Sequence, residues 1–272
     1  MPLLNLVLLA LIQGITEFLP ISSSGHLALF PALTGAEDQG LTLDVAVHVG
    51  TLVAVLAFFR GEVRAAALGG VHVLLGRFST PEARLALMLV LATIPVVIAG
   101  LALAAADRTD VFRDVEVIAW ATLVFGVVLW AADRWGPLSR EAERWTWGHA
   151  LLMGLAQVLA LIPGTSRSGI TITAARALGY ARVDAARLAM LMSIPTILAA
   201  GAVATLDLVE SGNAALGLDA AIAAGLAAVS AFAALAVMMR MLRTWSLTPF
   251  VVYRLILGGA LLAAIYSGAL AA

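Results

Sequence analysis

Glu17-Phe18-Leu19-Pro20-Ile21-Ser22-Ser23-Ser24-Gly25-His26 places a carboxylate, three hydroxyls and an imidazole inside the first long apolar segment of the chain. Such groups are costly in hydrocarbon, and they normally face a partner or a cavity. A second stretch, Pro163-Gly164-Thr165-Ser166-Arg167-Ser168-Gly169, interrupts a later apolar segment in the same manner. The two stretches are expected to meet and form one anion-handling site.

The surrounding composition is that of an integral membrane protein. The 272 residues are 62% hydrophobic and 12% charged, with a mean hydropathy of +1.02, whereas an ordinary soluble domain carries about 25% charged residues. Low aromatic content and long Ala, Leu and Val runs suit helices, not the alternating strands of an outer-membrane barrel. The absence of cysteine excludes disulfides and thiolate metal sites. A net charge of -1 gives no case for nucleic acid. Residues 1–19 lack a basic start and a small-residue cleavage site, so a removed signal peptide is not expected.

A helix needs about 20 apolar residues to cross the hydrocarbon. Segments 41–59, 86–104, 117–132, 186–206, 219–242 and 247–270 meet this requirement or come close to it. Segments 1–34 and 147–180 are long but broken by Pro, Gly and Ser, and they read as re-entrant hairpins. Loops at 60–85, 133–146, 176–187 and 240–246 carry 12 Arg and six acids. Loops at 35–44, 107–116 and 207–219 carry two Arg and ten acids. The Arg excess places the first set in the cytoplasm. The expectation is an all-α polytopic membrane protein with a single membrane domain, 1–272, and both termini outside. Two repeats of inverted topology, 1–132 and 147–272, would each hold one hairpin and three of the six spans. Gln13 to Gly25 and Gln157 to Gly169 have equal spacing, with Ser22 and Ser24 aligned on Ser166 and Ser168. Facing broken helices at mid-membrane are a common way for inverted repeats to build a site.

Each polar group has two readings. Gln13 and Glu17 share a helical face. Glu17 is either an interfacial carboxylate near a helix end or one that orients a base, takes a proton or helps hold a divalent metal. Among Ser22, Ser23 and Ser24, one serine is accounted for as a helix cap, but three beside a histidine are not. Ser and His can supply nucleophile and base. In the second stretch, Pro163-Gly164 is expected to stop one helix, with Ser166 to Gly169 opening another at 168–178. A helix start suits phosphate, and Arg167 adds a planar fork matched to phosphate oxygens. At a hairpin tip, Arg167 is poorly placed to snorkel to the interface. His48 lines the site mouth or is an ordinary helix histidine, with nothing to choose between the two. Arg254 is read as reaching the interface. Asp133, Glu141, Glu143 and their arginines are read as a solvated loop.

With Gln13, Glu17-Phe-Leu-Pro, Ser-Ser-Ser-Gly-His26 and Pro163-Gly-Thr-Ser-Arg167-Ser-Gly in order, and Phe250-Val-Val-Tyr-Arg254 beyond, the chain resembles the bacterial undecaprenyl-diphosphate phosphatase family of the bacitracin-resistance type. The resemblance implies hydrolysis of the C55 polyprenyl diphosphate to the monophosphate at the outer face of the cytoplasmic membrane, recycling the carrier lipid for peptidoglycan. It puts Gln13 and Glu17 on the family's Glu/Gln-rich pair, Ser23 and His26 on its proposed nucleophile and acid/base, and Arg167 on its phosphate-binding arginine. Ser22, Ser24, Thr165, Ser166, Ser168 and Gly169 fall in the flanking motif as substrate-binding candidates. The family is described as helped by Mg²⁺ or Ca²⁺. Glu17 is the one candidate ligand, and the substrate's phosphates are expected to hold most of any such ion. Gln13 stands where many members have Glu. The rival reading is a transporter or flippase for the carrier lipid, since inverted repeats serve transport equally well. Partners beyond the polyprenyl diphosphate and membrane lipids, including further copies of the chain, are left open.

Overall fold

The computed structural model describes residues 2–34, 40–106, 114–211 and 214–270. They form eleven α-helices and two short 3-10 turns, with no strand among the described residues. In chain order these are α1 (Leu3–Thr16), α2 (Ser23–Thr34), α3 (Gly40–Phe58), α4 (Arg60–Leu74), α5 (Pro81–Ala105), α6 (Val115–Trp135), α7 (Trp147–Gln157), α8 (Arg167–Ala177), α9 (Arg182–Ser211), α10 (Ala214–Met241) and α11 (Thr248–Tyr266).

Local chemistry accounts for several helix starts. Thr80 accepts from the Ala83 N–H at 3.1 Å, with Pro81 and Glu82 in the first turn of α5. Asp114 accepts from the Glu116 N–H ahead of α6, and Thr146 from the His149 N–H ahead of α7. Each side chain satisfies a backbone donor that has no intrahelical partner.

Among the described residues, four helices are long and apolar enough to cross a membrane: Pro81–Ala105, Val115–Trp135, Gly217–Met241 and Thr248–Tyr266. A fifth span is obtained if Leu43–Phe58 and Arg60–Leu74, bent by 94° at Phe59, count as one. The expected spans at 86–104, 117–132, 219–242 and 247–270 thus coincide with α5, α6, α10 and α11, and that at 41–59 with α3. The expected span at 186–206 falls on α9, part of whose side chains lie outside the described residues, as do Glu37, Asp38, Asp107, Arg108, Asp110 and Arg113. Ile98, Leu101, Val229 and Ile256 are each more than 60% exposed, the outward apolar surface of a protein solvated by lipid.

The two broken segments are each a helix, a turn and a second helix. α1 packs against α3 and α10 and α2 against α1 and α6, while α7 packs against α5 and α8 against α6 and α9. Helix association in lipid depends on close van der Waals fit and small residues. At Gly14, one turn before Glu17, a Cβ would lie 1.9 Å from Ser230 Oγ and 2.7 Å from the Ala227 carbonyl. Only glycine lets α1 approach α10 this closely.

Two expectations change here. The helix before Pro163 ends at Gln157, followed by a 3-10 turn at Val158–Leu161. Proline disfavours helical backbone at the residue before it, and Ile162 is extended (φ -80°, ψ 114°). The supposed solvated loop is partly buried. Asp133 accepts from Arg176 Nε at 3.0 Å, Arg182 Nε at 2.8 Å and the Leu247 N–H at 3.1 Å, and Arg176 is fully buried. Arg176 also donates to the carbonyls of Pro137, Gly136 and Tyr180. This cluster ties together the ends of α6, α8 and α11.

Candidate active site

The turns of the two broken segments meet. Ser22 (φ 73°) and Ser166 (φ 71°) are the positive-φ residues other than glycine among the described residues, and each immediately precedes a helix, α2 and α8. Ser166 Oγ caps α8 by accepting from the Gly169 N–H at 3.0 Å. Ser22 Oγ accepts from the Gly25 N–H at 3.3 Å.

Arg254, expected at the interface, is instead fully buried between the two turns. Its guanidinium donates to the carbonyls of Pro20 (3.2 Å) and Thr165 (2.9 Å), and to those of Gly164, Ala121 and Thr122. One cation thus holds the tips of both segments through their backbone. Gly164 sits at φ +91°, where a Cβ would lie 2.4 Å from the Ile118 carbonyl. A side chain there would push the second turn away from α6.

This clamp places Glu17 and Arg167 in contact. Arg167 Nη2 donates to Glu17 Oε1. Glu17 Oε2 accepts from Ser23 Oγ at 2.6 Å and from Gln13 Nε2 at 2.7 Å. The Arg167 Nη1 atom is buried and has no hydrogen-bond partner. A cavity of about 320 Å³ opens against this group, lined by Glu17, Ser23, Ser24, Ser166 and Arg167. Its remaining wall is largely apolar, with Val45, Val96, Leu161 and Ile197, and includes His48 and Asp44. The cavity offers a guanidinium and the first turn of a helix to an anion, a hydroxyl beside a carboxylate, and an apolar wall to a chain.

Other expected residues lie elsewhere. His26 does not line the cavity. Its Nδ1–H donates to the Ser22 carbonyl at 2.7 Å, and its Nε2 accepts from the Tyr253 hydroxyl at 2.5 Å, with the two rings stacked. Ser168 donates to the Leu19 carbonyl at 2.9 Å, bracing one turn on the other. Thr165 is buried, with an unpartnered hydroxyl. At Gly169 a Cβ would lie 3.0 Å from Ser166 Cβ and 3.1 Å from Arg254 Nη1. Sequence reasoning missed Tyr253 and misplaced Arg254. The signal available was an Arg in a span otherwise without charge.

Mg²⁺ or Ca²⁺ prefers six or more oxygen ligands. The groups hydrogen-bonded to Glu17 are a guanidinium, an amide N–H and a hydroxyl, all donating to it, with the His48 ring 3.6 Å away, and among the described residues no three His, Asp or Glu side chains converge. Gln13 turns its amide nitrogen to the carboxylate and leaves its oxygen unpartnered. This arrangement does not fit a protein-held divalent ion.

Comparison with known proteins agrees with the motifs. The family model described as Bacitracin resistance protein BacA matches residues 6–260. An undecaprenyl-diphosphatase of Roseobacter denitrificans is 58% identical over 267 residues, 98% of this chain and 100% of the relative. One from Ruegeria pomeroyi is 57% identical with the same coverage. Undecaprenyl-diphosphatase 2 of Stutzerimonas stutzeri is 46% identical over 271 residues, again 98% of this chain and all of the relative. With the family model matching residues 6–260 of the chain and these relatives covered over their full length, the chain belongs to the Bacitracin resistance protein BacA family.

Proposed function

We propose that the protein hydrolyses undecaprenyl diphosphate to undecaprenyl phosphate and inorganic phosphate, returning the carrier lipid to peptidoglycan synthesis and conferring bacitracin resistance. The observation that carries the reading is the meeting of Arg167, with its unpartnered Nη1, and the Glu17–Ser23 pair at one cavity. Phosphoryl transfer depends mostly on positioning and on neutralising charge. Arg167 and the N–H groups at the start of α8 bind the terminal phosphate and stabilise its charge in the transition state. Either Ser23 attacks the terminal phosphorus and water then cleaves the phosphoserine, or Ser23 orients a water that attacks directly; in each case the P–O bond to the polyprenyl phosphate breaks, and Glu17, which already accepts from the Ser23 hydroxyl, takes the nucleophile's proton. The polyprenyl phosphate departs along the apolar wall. His26 is proposed to act from beside the cavity: bound to Ser22 and Tyr253, it fixes the serine turn. Any Mg²⁺ or Ca²⁺ is proposed to arrive with the substrate's phosphates.

The finer topology is also a proposal: six spans in two inverted repeats, both termini outside, and the site opening to the outer side of the bacterial cytoplasmic membrane. The Arg distribution and the shared backbone of Ser22 and Ser166 support it. Because the chain has no cysteine, single cysteines at Ser139 and Ser267 would report sidedness by impermeant labelling. Labelling of intact cells at 139 rather than 267 would overturn the orientation.

The test of function is phosphate release from C55 diphosphate by detergent-purified protein, wild type against Arg167→Ala. Detergent leaves no second compartment, so release there is hydrolysis and not transport. A wild type that releases no phosphate would sink the reading.

A further inference from the structure

His48 stands at the same carboxylate oxygen as Ser23. Its Nε2 lies 3.6 Å from Glu17 Oε2, and its Nδ1 lies 2.6 Å from the Asp44 carbonyl. A carbonyl oxygen only accepts, so Nδ1 carries a proton. The Nε2 facing Glu17 then holds a lone pair in the neutral ring and a proton only in the imidazolium. A lone pair set against a carboxylate is repelled, so the ring is attracted to Glu17 only as a cation. At 3.6 Å the contact is one of charge with charge, still short of a hydrogen bond.

Substrate binding sets a problem that this contact answers. A phosphate that engages Arg167 competes with Glu17 for the guanidinium. Glu17 is buried, and a buried carboxylate deprived of its counter-charge is strongly disfavoured. Gln13 and Ser23 donate to it but bring no charge. The charged or titratable side chains lining the cavity with His48 are Glu17, Asp44 of its own helix and Arg167. α5 contributes Val96 and α9 contributes Thr196, Ile197 and Gly201, none titratable. α10, packed along α3, contributes no lining residue. Among the described residues, His48 is the one group at the cavity besides Arg167 that can carry positive charge.

We infer that His48 is a positioning residue: as an imidazolium it becomes the counter-charge of Glu17 when the terminal phosphate of the substrate takes Arg167. The inference rests on the phosphatase reading. It keeps the Glu17 carboxylate paired and aligned on Ser23 throughout the exchange.

The test uses the full-length protein in detergent with His48→Leu, which removes the charge at similar size, and His48→Gln, which retains a neutral donor. His48→Leu should raise KM for C55 diphosphate roughly tenfold, with a smaller change in kcat. His48→Gln should recover part of the affinity. A parallel measurement follows the thermal shift given by a non-hydrolysable polyprenyl methylene-diphosphonate, which should be largest for wild type. A His48→Leu protein with wild-type KM and wild-type analogue shift overturns the inference. If the wild type releases no phosphate at all, it is the phosphatase reading that fails, and the analogue shift still decides the part played by His48.

Discussion

The guanidinium of Arg167 and the carboxylate of Glu17, 150 positions apart in the chain, form a direct ion pair at the meeting point of two broken helical segments. Nη2 is engaged and Nη1 has no hydrogen-bond partner, so one arm holds the arginine in place and the other is uncommitted.

That division of labour needs a planar fork. Arg167→Lys keeps the charge but supplies a single point of contact. It should lower kcat/KM for C55 diphosphate by about 10²-fold or more, with little change in melting temperature. Turnover near wild type would remove Arg167 from phosphate binding.

The three serines of the first turn should differ sharply. Ser23 Oγ donates to Glu17, whereas Ser24 is exposed and lies 3.4 Å from Ser22 Oγ. Ser23→Ala should cost about 10²-fold or more in kcat and Ser24→Ala only a few fold. Equal and small losses in phosphate release would point to a water molecule that Ser23 does not orient.

Arg254 supports the site through architecture. Arg254→Met removes five hydrogen bonds to buried carbonyls, and each carbonyl left with no other donor costs about 1–3 kcal/mol. Melting temperature and activity should fall together, in contrast to Arg167→Lys. A variant with normal stability and no activity would show that Arg254 contributes to the chemistry itself.

His26 and Tyr253 should behave as a unit. If the ring works by bracing the serine turn, His26→Asn and Tyr253→Phe should each lower kcat to a similar extent, and the double variant should be little worse than either. A large loss for His26→Asn with none for Tyr253→Phe would mean that the histidine leaves its tyrosine and enters the cavity during turnover.

Glu17, Ser23 and Arg167 were legible in the sequence because an apolar segment gives a polar side chain few roles. Depth was not legible. Asp133 and Arg176 sit at helix ends, where a count of loop charge cannot tell a solvated pair from one enclosed by α6, α8 and α11. Arg254 lies within a turn or two of an interface along the chain, yet its reach is set by the two hairpin tips folded over it, contacts more than 85 residues away in sequence. His48 was visible as a histidine in a span, but only the carbonyl of Asp44 reveals which nitrogen faces Glu17. The first helix of the second broken segment gives way at Gln157 to a 3-10 turn, ahead of Ile162, where Pro163 disfavours helical backbone.

Ser22 and Ser166 occupy backbone that glycine would adopt freely, and such conformations in other residues cost on the order of 1–3 kcal/mol. Glycine at either position should give a sturdier molecule with slacker turns. The chain therefore forgoes some ruggedness at the two points where its broken segments touch, and keeps there hydroxyls that close the first turns of α2 and α8 and hold both tips in one shape.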